Sequence, residues 1–211
     1  MELMNQISTA LQAGKAKDVK ALVQQAIDEG NSASSILNEG LVSGMNVIGA
    51  KFKNNEIYVP DVLIAARAMK AGTELLKPLL KEAGVKASGK VVIGTVAGDL
   101  HDIGKNLVAM MMEGKGMEII DLGCDVPAER FVQAAIDNDA QIIACSALLT
   151  TTMGEMKSVV ELAREKGIRD KVTIMVGGAP VNESYCNQIG ADIYSADAAT
   201  AAEAALAKLL A

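Results

Sequence analysis

Asp99-Leu100-His101-Asp102-Ile103-Gly104 holds the single histidine of this 211-residue chain, among residue types that metal chemistry uses. A neutral imidazole offers one ring nitrogen to a metal. An aspartate two positions away is placed to hold the other, which fixes the tautomer and makes the ligand more basic. Gly98 and Gly104 bracket the segment, and a missing Cβ lets a large group come close to the backbone. Taken alone, such a histidine reads first as a solvated loop side chain. Two later segments, Ser146-Ala147-Leu148 and Gly177-Gly178, also close apolar runs with small or polar residues. By itself the glycine pair reads as a turn.

The elements around these segments decide whether they meet. From residue 90 onward, short and nearly uniform apolar runs alternate with amphipathic ones. Strands are expected at 90–97, 117–122, 140–146, 171–176 and 191–195, with helices near 103–114, 127–137, 153–166, 182–189 and 197–210. Strands apolar on both faces and separated by helices make a parallel sheet covered on two sides. Five such units fit a doubly wound, flavodoxin-like and Rossmann-like α/β sheet of order 2-1-3-4-5, in which ligands bind beyond the C-terminal ends of the strands near the switch point. His101 follows the first strand, Ser146 ends the third and Gly177-Gly178 ends the fourth. All three segments therefore fall on one sheet edge.

Residues 1–84 follow a different rule. Apolar positions recur at helical spacing in Leu3, Ile7, Ala10 and Leu11, and again in Val19, Leu22, Val23, Ala26 and Ile27. A third run, Ser34 to Phe52, places Ile36, Leu37, Leu41, Met45, Ile48 and Phe52 on one face. A fourth follows Val59-Pro60-Asp61, where proline suits a first helical turn, and reaches about Ala83. Lys77-Pro78 should kink or end it. These runs predict a four-helix bundle. Gly84 to Gly89 breaks the pattern, so the expected organisation is a helical domain at 1–84, a linker at 85–89 and an α/β domain at 90–211.

The whole chain sets outer bounds. Half the residues are hydrophobic and 22% charged, as in soluble globular domains, while aromatics make up only 2% with no tryptophan, so the core must be aliphatic. A net charge of −6 without a basic cluster argues against nucleic acid and anionic membrane surfaces. No apolar stretch reaches the ~18–20 residues of a membrane span. Met1-Glu2-Leu3-Met4-Asn5-Gln6 lacks the basic start and apolar core of a signal peptide, and the expected location is cytoplasmic. Cys124, Cys145 and Cys186 form no CxxC pair, which argues against a disulfide framework or a cysteine zinc site. Cys145, inside an apolar run, reads as a small buried hydrophobe. Cys124 and Cys186 receive no role.

Spacing joins the three segments. Forty-one residues separate Gly104 from Ser146, and twenty-eight separate Leu148 from Gly177. Asp-x-His-x-x-Gly, Ser-x-Leu and Gly-Gly in this order resemble the fingerprint of cobalamin-binding domains that take the cofactor base-off/His-on, as in cobalamin-dependent methionine synthase. The resemblance implies that His101 is the lower axial ligand to cobalt and Asp99 its hydrogen-bond partner. It implies that Gly98, Asp102, Ile103, Gly104 and Thr150 border the cofactor, and that Ser146, Leu148, Gly177 and Gly178 line a slot for the displaced nucleotide tail. The family's third relay member, a serine six residues after the first serine, is here Thr152. A proton relay from His101 through Asp99 to Thr152 is thereby retained, beside an ordinary helix N-cap role for Thr152.

A second resemblance lies upstream. Gly44-Met45-Asn46-Val47-Ile48-Gly49-Ala50-Lys51-Phe52, Glu56-Ile57-Tyr58-Val59-Pro60 and Ala65-Ala66-Arg67-Ala68-Met69-Lys70 look like the helical cap beside methylcobalamin-binding domains. There a phenylalanine and, seven residues on, a leucine shield the upper face of the corrin. Phe52 and the smaller Val59 fill those positions here, with Met45 nearby, and ordinary bundle packing of Phe52 is the rival reading. Cap plus cobalamin domain resembles the corrinoid proteins of methylamine and betaine methyltransferase systems. That resemblance implies a carrier that is not catalytic alone and takes a methyl group on cobalt from a substrate-specific methyltransferase with a methylated or quaternary amine donor. A second methyltransferase would pass the methyl group to coenzyme M or tetrahydrofolate, and a reductive activase would restore the cofactor. The alternatives are a cobalamin-dependent sensor, which needs an output module, a subunit of an adenosylcobalamin mutase, or a flavin domain, in which His101 would have nothing to do.

Overall fold

The structure, a computed structural model, describes residues 2–84 and 87–211. Val85 and Lys86, the first two residues of the expected linker, lie outside the described residues. The chain forms two units, Met1–Ala87 with Gly114–Gly116, and Ser88–Glu113 with Met117–Ala211.

The helical unit contains α1 (Glu2–Gln12), α2 (Ala16–Asp28), α3 (Ala33–Ser35), a π-helical segment (Ile36–Val42), α4 (Ser43–Lys53) and α5 (Val59–Glu82). Ile7 and Leu11 of α1, Val19 and Val23 of α2 and Leu76 of α5 are buried, as their spacing requires. The run expected as one helix at 34–52 is continuously helical, but its middle is π rather than α. Ile36 and Leu41, five residues apart, are both buried there. A π turn brings residues i and i+5 into line, where an α turn would splay them. Glycines let these helices approach closely: a Cβ on Gly72 would lie 2.9 Å from Leu41 Cδ2 and 3.1 Å from Val19 Cγ1. The helix α5 starts where proline was expected to start it, and the Tyr58 N–H donates to Asp61 Oδ2 at 2.9 Å. It does not end at Pro78 but continues to Glu82. Proline removes a single N–H donor there, and the helix is already anchored by the buried Leu76 two residues earlier.

The α/β unit runs β1 (Lys90–Thr95), α6 (Ile103–Glu113), β2 (Glu118–Asp121), α7 (Ala128–Asp137), β3 (Ile142–Ser146), α8 (Gly154–Glu165), β4 (Thr173–Gly177), α9 (Glu183–Ile189), β5 (Ile193–Tyr194) and α10 (Ala198–Leu209). All strand pairs are parallel, in the order β2-β1-β3-β4-β5. This is the five-stranded doubly wound sheet that the sequence predicts. Val91, Val92, Ile142, Ile143 and Ile174 are fully buried between the two helical layers. Phe131 of α7, also fully buried, fills the space over Gly94, where a Cβ would sit 2.8 Å from its ring. Cys145 and Cys186 are buried, and burial pushes the Cys145 thiol up to about 12.

The register places the chemistry. Thr95 pairs with Ser146, and Ser146 with Gly177. One row across three strands therefore delivers the loops after β1, β3 and β4 to the same edge at the same level, beside the switch point between β1 and β3.

Candidate functional site

His101 lies in the loop between β1 and α6. Its backbone carbonyl accepts from the Thr95 hydroxyl at 2.9 Å, which ties the loop to the last residue of the strand. Its Nδ1 sits 2.7 Å from Asp99 Oδ1, and the side chain is 51% exposed while that of Asp99 is fully buried. An ionised carboxylate only accepts, so Nδ1 carries a proton in this pair, and in the neutral imidazole the lone pair is then on Nε2.

Asp99 is the hub. Its Oδ1 also accepts from the His101 N–H at 3.1 Å. Its Oδ2 accepts from Leu148 N–H at 2.8 Å, Leu149 N–H at 3.3 Å and the Thr152 hydroxyl at 2.9 Å. Burial works against the charge on Asp99, but the donors from Leu148, His101 and Thr152 outweigh it and hold the carboxyl well below the usual aspartate range. The N-cap reading of Thr152 does not hold: α8 begins at Gly154 with Met153 as its cap residue and no side-chain cap. The Thr152 hydroxyl instead faces both Asp99 Oδ2 and the Leu149 carbonyl, at 2.9 and 3.0 Å. It has a single proton to share between them.

The other expected positions fall around this hub. Asp102 accepts from the Asn106 side chain at 3.0 Å, and Ile103 opens α6 with 74% of its surface exposed. A Cβ at Gly104 would meet nothing within 4 Å, so that face is open. Gly98, at φ +76, takes a backbone form that favours glycine. Leu148 and Thr150 are exposed in the loop after β3, and Ser146 and Gly177 are half-buried at the strand ends. Gly178 stands apart: at φ +132, its Cβ would lie 1.9 Å from the Ala147 carbonyl oxygen. Its bareness answers to the protein's own packing. Met45, Phe52 and Val59 belong to the helical unit, where Met45 is buried and the other two are partly exposed.

Several participants were not legible as such. Leu100 is 75% exposed beside the imidazole, and Leu149 is exposed on the other side of Asp99. Apolar residues left bare in a polar loop are a signal that patterning alone could have raised. Lys105, buried one residue after Gly104, donates to both oxygens of Asp121 at 2.7 and 2.6 Å. This pair ties the start of α6 to the end of β2.

Among the described residues no three His, Cys, Asp or Glu side chains converge as a metal cluster. A lone, half-exposed imidazole whose own loop and the neighbouring loop leave Leu100, Ile103, Leu148 and Leu149 exposed suits a metal that brings its other ligands on a broad apolar ring. These residues fit a corrin.

Comparison with known proteins agrees with that chemistry. A B12 binding domain model matches residues 89–207, and a second B12 binding domain model matches residues 3–77. A dimethylamine corrinoid protein of Methanosarcina barkeri is 44% identical over 212 residues, covering 100% of this chain and 98% of that protein. A corrinoid protein of Desulfitobacterium hafniense strain Y51 is 40% identical over 208 residues, covering 97% and 96%. Among solved structures, a chain of the methanol:cobalamin methyltransferase complex of Methanosarcina barkeri superposes with a TM-score of 0.88 at 34% identity, over 99% of this chain and 80% of that one.

Proposed function

The chain belongs to the B12-binding corrinoid proteins of methylamine methyltransferase systems, and from that membership we propose that it holds cobalamin base-off with His101 as the lower axial ligand. It binds a corrinoid and serves as a methyl carrier in methylamine methyl transfer. Cobalamin, when bound, supplies a cobalt that accepts and releases a methyl group, the hard chemistry a carrier leaves to its cofactor. The observation that carries the ligand assignment is the exposed imidazole locked through Nδ1 to a buried, charged aspartate.

Each residue has a share in this reading. Asp99 fixes the His101 tautomer and keeps Nε2 a good donor to metal. Thr152 and the Leu148 and Leu149 N–H groups keep Asp99 ionised and in place. Asp102, Ile103, Gly104, Leu148 and Thr150 border the corrin, and Gly98 shapes the loop that carries the ligand. Ser146 and Gly177 flank the slot for the nucleotide tail, with Gly178 shaping its wall. Phe52, Val59 and Met45 are assigned, on resemblance, to shielding the upper face. The donor is a methylated amine delivered by a cognate methyltransferase. The partner that takes the methyl group onward acts on coenzyme M or tetrahydrofolate, and a reductive activase rescues oxidised cofactor.

His101→Ala tests the ligand. The variant, loaded with cobalamin and reduced to the Co(II) state, should lose the electron paramagnetic resonance signature of an axial nitrogen while still retaining corrinoid. An unchanged axial-nitrogen signal would show that the histidine is not the ligand.

A further inference from the structure

Asp125 sits in the loop between β2 and α7, exposed, and takes part in none of the motifs that mark the site. It is one of three non-glycine residues with positive φ among the described residues, at +54. Aspartate tolerates this left-handed form better than most side chains, but still at some cost. What that conformation achieves is a two-way clamp. The Asp125 N–H donates to the Asp99 carbonyl at 3.0 Å, and Asp125 Oδ1 accepts from the Gly98 N–H at 2.7 Å. The two-residue stretch Gly98–Asp99 is thus held at both ends, at the Gly98 N–H and at the Asp99 carbonyl, by one residue. The same loop runs alongside the end of β1: Val126 N–H donates to Thr95 O at 3.0 Å, and Thr95 N–H to Gly123 O at 2.9 Å.

Asp99 must hold its carboxylate where two oxygens meet donors from the His101 ring and from the loop after β3 at once. A backbone free to swing at Gly98, the most permissive residue of the loop, would scatter that geometry. We propose that Asp125 is a positioning residue for the axial ligand. By holding the Gly98 N–H and the Asp99 carbonyl at once, it sets the Asp99 carboxylate and through it the orientation of the His101 imidazole. This deepens the ligand assignment above and rests on it.

The test uses the full chain loaded with hydroxocobalamin, with three substitutions at one position. Asp125→Asn keeps both an acceptor oxygen for the Gly98 N–H and tolerance of positive φ. Asp125→Ala loses the acceptor. Asp125→Gly also loses it but accepts the left-handed backbone without strain, so it separates carboxylate from conformation and carries the test if the alanine variant does not fold. Melting curves report the fold, cobalamin titration the affinity, and electron paramagnetic resonance of the Co(II) form the axial nitrogen. Wild type and Asp125→Asn should show full axial-nitrogen signal. The alanine and glycine variants should bind cobalamin more weakly, toward the lower end of the ~10–100-fold losses seen for outer-sphere partners of metal ligands, and with part of the cofactor lacking axial nitrogen. Wild-type signal and affinity in Asp125→Gly would overturn the proposal, as would an Asp125→Asn variant no better than the glycine one. A wild type without axial nitrogen would overturn the His101 assignment itself, and this inference with it.

Discussion

Five donors converge on one carboxylate at Asp99, more than a carboxylate's roughly four lone-pair sites hold at full strength. The longest, from Leu149, is the weakest of the set. Such a shell favours the charged form of Asp99, so that the imidazole Nδ1–H and the Thr152 hydroxyl face an anion. Because the folded carboxyl lies below the usual aspartate range, its stabilising contribution is complete above the unfolded value of ~3.9 and drains away only as the pH falls from there toward the folded one. The stability gap between wild type and Asp99→Asn should therefore be constant from about pH 8 to 5 and narrow below about pH 4. Denaturant unfolding at pH 7, 5 and 3 checks this, and a gap already shrinking between pH 7 and 5 would mean that the carboxylate is not so held. In the cofactor-bound protein Asp99→Asn should weaken affinity or activity by ~10–100-fold, a milder change than loss of His101.

At the scale of elements, two glycines of the site do opposite work. Gly178 follows β4 with its missing Cβ pressed on the Ala147 carbonyl, whereas Gly104 lies in the first turn of α6 facing open space. Gly178→Ala meets both positive φ and a backbone clash. The strain alone costs ~1–3 kcal/mol, and its melting temperature should fall by several degrees. Gly104→Ala replaces a helical glycine, a change worth up to ~0.5–1 kcal/mol in a helix's favour, so its melting temperature should hold or rise while cobalamin affinity drops. Thermal melts and cobalamin titration of the two variants separate the roles. The contrast also shows where sequence reading stops. Uniform apolar runs made the strands, their order and the shared edge legible, because burial on both faces leaves a pattern one residue at a time. The Asp-x-His spacing made the hydrogen-bonded His101–Asp99 pair legible for the same local reason. Whether a glycine is bare for a ligand or for its neighbour's carbonyl depends on a contact thirty-one positions away, and no local pattern records it. Asp125 and the Lys105–Asp121 pair escaped likewise. That α5 reaches about Ala83 was legible, and of the two outcomes named for Pro78 the end is the one that fails, since the helix runs on to Glu82.

For the molecule as a whole, carriage imposes a conflict. A methyl group bound to cobalt must be protected between partners and surrendered to each of them, so any shield on the upper face has to be strong enough to matter and loose enough to leave. The two phenylalanines of the chain illustrate the choice. Phe131 is wholly buried in the α/β core, while Phe52 at the end of α4 is only partly covered. Phe52 also lies four residues after the buried Ile48, so it continues a packed face even as part of its ring stays free. If shielding is its work, Phe52→Ala should leave the axial-nitrogen signal unchanged, lower the melting temperature less than the ~3–5 kcal/mol loss of a fully buried phenylalanine would, and speed light-driven loss of the methyl group from the methylcobalamin-loaded protein severalfold. On that reading the smaller Val59 would leave more of the shielding to Phe52 than a leucine there, which would make the effect easier to see. Equal photolysis rates in wild type and variant, with a large drop in melting temperature, would return Phe52 to bundle packing and leave the upper face to be guarded by the methyltransferases themselves.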